Sequence, residues 1–321
     1  MTATAYLLTG GGLALLYFGG EFLLRGAVSV ALRLKLPPLL IGLTIVACAT
    51  SMPELLVTVT AGLEGVSDVG VGNIVGSNIA NILLILGVGA VIKPIDINPN
   101  MGLRDLYVML LATAAFIFFA LAGEFDRIHS LGMLLGLSLY IWFSYRQDRP
   151  RRIEVEEEVL EEVGEKPCSI PFALLLLALG LGGLVGGSEM LIDGAVTLAR
   201  AAGVSETVIG LTLVAIGTSL PELATAIVAG LRGHSDVALG NVIGSNIFNI
   251  LLIIGVLALI VPFTVAEQVV SLDMWVMGAV SLLVLPFVAF GWRIGRSSGV
   301  LFLLAYGGYI AFQFLNGGFK V

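Results

Sequence analysis

Two short stretches of this chain carry the same unusual chemistry. Thr50, Ser51 and Glu54 surround Pro53, and Thr218, Ser219 and Glu222 surround Pro221. Asn73, Ser77, Asn78 and Asn81 follow the first stretch, and Asn241, Ser245, Asn246 and Asn249 follow the second. Ser77 and Asn81 are four apart and share one helix face, as do Ser245 and Asn249. All the ligand atoms on offer are oxygens, which suit hard cations such as Ca2+, Mg2+ or Na+ and not Zn2+ or Cu+. Two carboxylates with several neutral oxygens match the roughly six to eight ligands Ca2+ prefers, whereas Mg2+ holds its water and fits a dehydrated cage poorly.

Glu54 and Glu222 each fall near the middle of an apolar run. A lone carboxylate at that depth costs on the order of 2.5–3.5 kcal/mol, and two strain a fold whose whole stability is about 5–15 kcal/mol. They must be protonated, paired with buried bases, or neutralised by a cation. Arg25 is the one base near the centre of any apolar run, so a cation is the natural partner. The prolines add to this. Each removes an N–H and crowds the carbonyl four residues earlier, here Ala49 and Gly217. Freed carbonyls at mid-membrane are tolerated only where they line a cavity or meet a ligand. Residues 47–54 and 215–222 therefore each offer carbonyl, hydroxyl and carboxylate oxygens on one broken turn.

The elements that hold these residues are membrane helices. The chain has 321 residues, of which 58% are hydrophobic and 12% charged, with a mean hydropathy of +1.03. Soluble domains carry about 25% charged residues; lipid must replace the missing polar skin. Apolar length and Gly/Pro breaks place ten helices near 5–33, 38–63, 70–92, 104–123, 128–146, 170–200, 206–231, 238–261, 270–291 and 298–317. On this count twelve Lys and Arg fall on one side and three (Arg127, Arg200 and Lys320) on the other. The positive-inside rule then places the central loop in the cytoplasm and both termini outside, as expected of a multi-pass protein of the cell (inner) membrane. The loop, 147–169, carries seven glutamates between Glu154 and Glu165 and reads as a solvated acidic linker. No basic stripe suggests nucleic acid, and nothing points to a protein partner or a cofactor. Cys48 and Cys168 are solitary and form neither a disulfide framework nor a metal-ligand spacing.

The strongest sequence signal is internal. Residues 42–87 and 210–255 align without a gap at an offset of 168, with 29 identities in 46 positions. The same offset aligns Glu21, Gly26, Ala27 and Val28 with Glu189, Gly194, Ala195 and Val196. Five spans per copy is an odd number, so two copies in series enter the membrane from opposite faces. The expected fold is all-α, ten transmembrane helices as two inverted five-helix repeats: 1–146, the linker 147–169, and 170–321. Transporters of this plan bind substrate near the midplane, between the repeats. The Gly72/Gly76 and Gly240/Gly244 pairs are expected to let another helix approach closely.

Residues 49–54 (ATSMPE) and 217–222 (GTSLPE), each followed by GNxxGSN, resemble the alpha repeats of the sodium/calcium exchanger (cation/Ca2+ antiporter) superfamily, in its compact prokaryotic form. The resemblance covers the whole chain and implies exchange of Ca2+ for Na+ at four clustered ion sites. Glu54 and Glu222 would be shared central ligands, and Thr50 and Thr218 would contribute to the Ca2+ site. Ser51, Ser219, Ser77 and Ser245, with the carbonyls of Ala47 and Ala215, would complete flanking Na+ sites, and Asn81 and Asn249 would line the remaining central position. Spans 1 and 6 would slide to alternate access, moving one net charge per cycle, worth about 2.3 kcal/mol at 100 mV. Two residues depart from the pattern: Ala49 replaces a glycine, and Asn249 stands where potassium-dependent relatives carry aspartate, which implies independence from K+.

Rival readings remain at this level. A Ca2+/H+ antiporter would also use buried glutamates, and a passive cation channel would also use oxygen ligands. An intramembrane hydrolase would need a base for Ser51 or Ser77, and no histidine lies within a span. Glu21 and Glu189 are expected to bond polar groups on neighbouring helices, with a part in ion entry or gating as the alternative. His129 and His234 read as loop residues at the surface.

Overall fold

The computed structural model describes residues 2–34, 40, 42–97, 102–147, 167–201 and 217–315. Ala215, nearly all of the acidic linker and the first part of the expected span 206–231 lie outside them. The structure is mostly helical. In chain order the helices are α1 (Thr2–Leu34), α2 (Gly42–Thr50), α3 (Met52–Leu63), α4 (Ser67–Ile92), α5 (Leu103–Ala122) and α6 (Arg127–Gln147). The second half holds α7 (Ile170–Ala201), α8 (Leu220–Arg232), α9 (Ser235–Phe248 continued by Asn249–Ile254 and Gly255–Ile260), α10 (Val269–Phe290) and α11 (Arg296–Leu315). Among the described residues seven helices are long and apolar enough to cross a membrane, or eight when α2 and α3 count as one bent span.

The central rods are α4 and α9, each 78% buried along its most apolar window, against 22–39% for the other five. Beyond a first-turn aspartate, Asp68 and Asp236, both are apolar all round apart from their Ser and Asn residues, as helices enclosed by other helices must be. The rest present apolar side chains to lipid; Leu111, Phe118, Leu135 and Leu304, for example, are exposed.

Among the described residues the most extensive helix packing is that of α1 with α7, and glycine is the reason. A Cβ at Gly12 would lie 2.6 Å from Leu191 N, one at Gly19 2.7 Å from Leu184 N, and one at Gly26 2.8 Å from Ala173 O. In return, a Cβ at Gly180 would strike the Leu23 backbone, and one at Gly187 would lie 2.8 Å from Leu16 N. Gly194 makes the same close approach to Thr9. Both glycine series recur every seven residues, which keeps them on one seam, and each member of one series lies 168 positions from a member of the other. The seam runs antiparallel.

Glu21 of α1 is buried and accepts two hydrogen bonds from the Arg232 guanidinium at the end of α8, at 2.9 and 2.6 Å. Arg25 stands 3.6 Å away on the same helix. This meets the expectation of a bond to a neighbouring helix. Glu189 differs: it is exposed, and the position matching Arg232 is occupied by Glu64, an acid that cannot serve as its partner. Helix α1 packs along α8, whereas α7 and α3 hardly touch.

Two further repeated contacts tie the outer helices down. Asp105, at the start of α5, accepts hydrogen bonds from Tyr140 of α6 at 3.0 Å and from Arg104. Asp273, 168 positions later in α10, accepts from Tyr309 of α11 at 3.0 Å and from Gln313. Short strands β1 (Glu124–Phe125) and β2 (Phe263–Thr264) pair antiparallel, with the Phe125 and Phe263 rings stacked 5.1 Å apart. Ile95 and Ile294 form a second antiparallel bridge. Asp126 caps α6 by accepting the His129 and Ile128 N–H groups, as an N-cap carboxylate should. These bonds, the one from His129 first, hold its carboxyl below the usual range. His129 itself sits in the first turn of α6, half-buried against the Phe119 ring at 4.5 Å.

Candidate ion-binding site

The site begins at the two breaks the prolines make. Between α2 and α3 the chain bends by 50° at Ser51, whose φ and ψ of −82° and 7° leave the helical range. Ser219 adopts nearly the same conformation (−88°, 4°) just before α8. Pro53 and Pro221 then sit in the first turn of the following helix, where no N–H is needed. Glu54 and Glu222 fall in those same first turns, at the positive end of each helix dipole, which favours a carboxylate. Both are 1% exposed.

The two breaks meet across the repeats. The Ser51 hydroxyl donates to Glu222 Oε1 at 3.2 Å, and Ser219 donates to Glu54 Oε1 at 3.4 Å. Thr218 and Thr50 directly precede these serines, one in each break. Thr50 also donates to Asn241 Oδ1 at 3.3 Å, and Thr218 to Asn73 Oδ1 at 3.4 Å. Ser219 approaches Ser77 at 3.4 Å. Asn81 Nδ2 donates to Asn246 Oδ1 at 2.9 Å, and Asn249 Nδ2 to Asn78 Oδ1 at 3.0 Å. Almost every bond has a counterpart 168 positions away, with donor and acceptor drawn from opposite copies. The reciprocal serine bonds bring each carboxylate against the break of the other copy.

The cluster is rich in oxygens that no protein donor satisfies. Glu54 Oε2, Glu222 Oε2, Asn81 Oδ1, Asn249 Oδ1 and Ser245 Oγ are buried without a hydrogen-bond partner. An unpaired buried acceptor costs about 1–3 kcal/mol, more when it is charged. Five such oxygens, two of them carboxylate, fit a hard cation that supplies the missing positive charge. Eleven of the twelve residues expected to hold ions are thus placed: both glutamates, Thr50, Thr218, Ser51, Ser219 and Ser77 share the bonds around the two breaks, while Asn81 and Asn249 form a separate set with Asn246 and Asn78. Ser245 is buried on α9. Ala215 cannot be placed.

Two backbone details refine the expectation. The Ala47 carbonyl accepts the Ser51 N–H at 3.0 Å and lies 3.4 Å from the Thr50 hydroxyl, whose one proton is shared between this oxygen and Asn241 Oδ1, so an ion would have to take the place of the hydroxyl. The Gly217 carbonyl, one of those freed by proline, accepts Ser188 of α7 at 2.7 Å. The glycine contacts hold at Gly244, where a Cβ would lie 2.6 Å from Leu43 O, so that α9 touches the α2 backbone. Gly72 and Gly76 meet no described atom within 4 Å, and the segment that would match α2, 210–216, is outside the described residues. Met109 and Met277, unmarked in the sequence reading, lie against Asn246 and Asn78; only their shared offset of 168 could have flagged them.

A bundle of apolar helices enclosing a carboxylate pair and a shell of neutral oxygens defines a membrane cation transporter. Comparison with known proteins gives the family. The model of the sodium/calcium exchanger protein family matches residues 4–146 and 172–315. The inner membrane protein YrbG of Escherichia coli is 37% identical over 317 residues, spanning 97% of this chain and 95% of the relative. The sodium/calcium exchanger MaX1 of Methanosarcina acetivorans is 32% identical over 337 residues, spanning 94% and 96%. The solved structure of the sodium/calcium exchanger from Methanococcus jannaschii superposes with a TM-score of 0.83 at 33% identity, covering 97% of this chain and 99% of that one. The chain belongs to the sodium/calcium exchanger family, in its compact prokaryotic form. It is a multi-pass membrane protein, and its family and fold are those of a cation/Ca2+ antiporter.

Proposed function

We propose that this protein exchanges Ca2+ for Na+, electrogenically and without K+, at the site between Glu54 and Glu222. The observation that carries the reading is the set of unsatisfied buried oxygens around two carboxylates, arranged reciprocally by the two copies. Two glutamate charges balance one Ca2+, and the same oxygens can be shared among several Na+. Occupancy by one ion type then excludes the other, which is the physical basis of exchange. Thr50, Thr218, Ser51, Ser219, Ser77, Ser245, Asn81 and Asn249 supply neutral oxygens, together with the carbonyls of Ala47 and Ala215. Asn249 brings no third acid to the centre, which favours K+ independence.

The architecture belonging to this reading is ten spans in two inverted repeats, 1–146 and 170–321, with the acidic linker 147–169 in the cytoplasm and both termini outside. The repeated glycine seam, the Asp–Tyr pairs at Asp105 and Asp273, and the reciprocal bonds of the site support it. The inner membrane is the natural location, as for the Escherichia coli relative.

The test is Ca2+ uptake by Na+-loaded proteoliposomes. Uptake is expected to follow the outward Na+ gradient, to proceed without K+ on either side, and to drive the lumen negative as read by a voltage-sensitive dye. Uptake driven by a pH gradient and indifferent to Na+ would replace this reading with Ca2+/H+ exchange, and flux without a counter-ion would replace it with a channel. A strict demand for K+ would overturn the K+ independence alone.

A further inference from the structure

Asn78 and Asn246 are each 1% exposed and sit behind Asn81 and Asn249. A side-chain amide presents an oxygen on one side and an NH2 on the other, nearly equal in size, so the surroundings must fix which way it points. Here the pointing decides what the ions meet. Asn78 accepts from Asn249 through Oδ1, and Asn246 accepts from Asn81 in the same way. Those bonds use the NH2 groups of Asn81 and Asn249 and leave their Oδ1 atoms, the two unpaired amide oxygens of the cluster, for a cation. Were Asn78 and Asn246 turned over, each would offer NH2 to its neighbour. Asn249 and Asn81 would have to turn as well, and their NH2 groups would face positive ions.

The far side of each amide meets a sulfur. Asn78 Nδ2 lies 3.5 Å from Met277 Sδ, and Asn246 Nδ2 lies 3.6 Å from Met109 Sδ. Asn246 Nδ2 also reaches the Asn78 carbonyl at 3.4 Å. A thioether carries no hydrogen and can only accept. It tolerates an NH2 and repels an amide oxygen, so it reads the polarity of the group before it. Met109 and Met277 are fully buried and lie 168 positions apart, on α5 and α10, outside the aligned blocks 42–87 and 210–255. A buried methionine is ordinarily an adaptable filler of gaps; two of them at matched positions, each against a matched asparagine amide, do more than fill space.

We propose that Met109 and Met277 are positioning residues of the cation site: each sulfur sets the orientation of one asparagine amide, which sets that of the next, so that oxygen and not NH2 is turned to the ions. The proposal rests on the assignment of Asn81 and Asn249 to that site. Groups that orient ligands without touching the ion commonly change metal affinity by about 10–100-fold when removed.

The test compares purified Met277→Leu, Met277→Gln and Met274→Leu with wild type, by Ca2+ titration in detergent and by the Na+ and Ca2+ dependence of exchange in proteoliposomes. Leucine keeps the bulk and removes the acceptor, whereas glutamine restores an acceptor oxygen. Met274 is a fully buried methionine on the same helix and serves as the control for packing. Met277→Leu is expected to weaken Ca2+ binding and raise the half-saturating concentrations of both ions by about tenfold, with the maximal rate within about twofold of wild type. Met277→Gln should recover most of that loss, and Met274→Leu should behave as wild type. Should Met277→Leu fail to fold, Met109→Leu with Met109→Gln reads the same relation in the other copy. The proposal is overturned if leucine at 277 binds Ca2+ as wild type does, or if glutamine harms binding as much as leucine. A wild-type protein that binds no Ca2+ in the titration would instead overturn the assignment of the site, and that outcome is visible before any variant is compared.

Discussion

Glu54→Ala and Glu222→Ala are each expected to lower Na+-driven Ca2+ uptake more than a hundredfold. Among the described residues the two carboxylates are the only formal charges in a cluster whose other members are hydroxyls and amides. Removing either leaves Ca2+ with a single counter-charge in a buried place, where water cannot make up the difference. It also strands a donor, since Ser219 bonds to Glu54 and Ser51 to Glu222. A loss of about 3 kcal/mol already exceeds a factor of a hundred, and a carboxylate about 2.4 Å from a divalent ion contributes more than that even at an effective dielectric of about 20. Glu54→Gln and Glu222→Gln keep the shape and one oxygen, and should be nearly as inactive, because charge is what is missing. Full uptake by both alanine variants would remove the site from these residues.

The second large effect concerns stability. Gly187→Leu should lower the melting temperature of the purified protein by on the order of 10 °C, while Gly186→Leu, one position away, should leave it within about 2 °C. A Cβ at Gly187 would meet the Leu16 backbone at 2.8 Å and the Gly12 carbonyl at 3.0 Å. Backbone cannot swing aside as a side chain does, so the cost lies at or above the top of the roughly 1–3 kcal/mol usual for overpacking. A Cβ at Gly186 meets nothing within 4 Å. Equal melting temperatures for the two variants, followed by fluorescence-detected chromatography, would mean that α1 and α7 do not depend on touching along this line.

The repeat made most of the site legible from sequence. Glu54 and Glu222 were recognisable because a carboxylate amid apolar residues demands a partner, and because the same demand occurs twice. The bend at Ser51 followed from Pro53. Less could be foreseen where the partner is remote in the chain. Nothing near Glu21 in sequence points to Arg232, and helical periodicity cannot bring together residues 211 positions apart. Tyr140 and Tyr309 resemble ordinary boundary aromatics until Asp105 and Asp273 are seen to bind them. The Gly217 carbonyl was rightly expected to be freed by Pro221, yet its acceptor role is met by Ser188, a residue whose matching position in the first copy is Gly20. Small differences between the copies, such as this one, escape a reading that averages them.

The pair formed by Glu21 and Arg232 has a consequence for the working cycle. At this end an acid is held by a guanidinium, with a second, Arg25, close by. The corresponding trio in the other copy is Glu189, Glu64 and Asp193, all exposed. Shutting the opposite mouth by the same movement would gather three negative side chains where this one joins unlike charges. On the proposed alternating-access cycle the two doors would therefore differ in their resting preference, one of them closing at an electrostatic disadvantage that a passing cation would relieve.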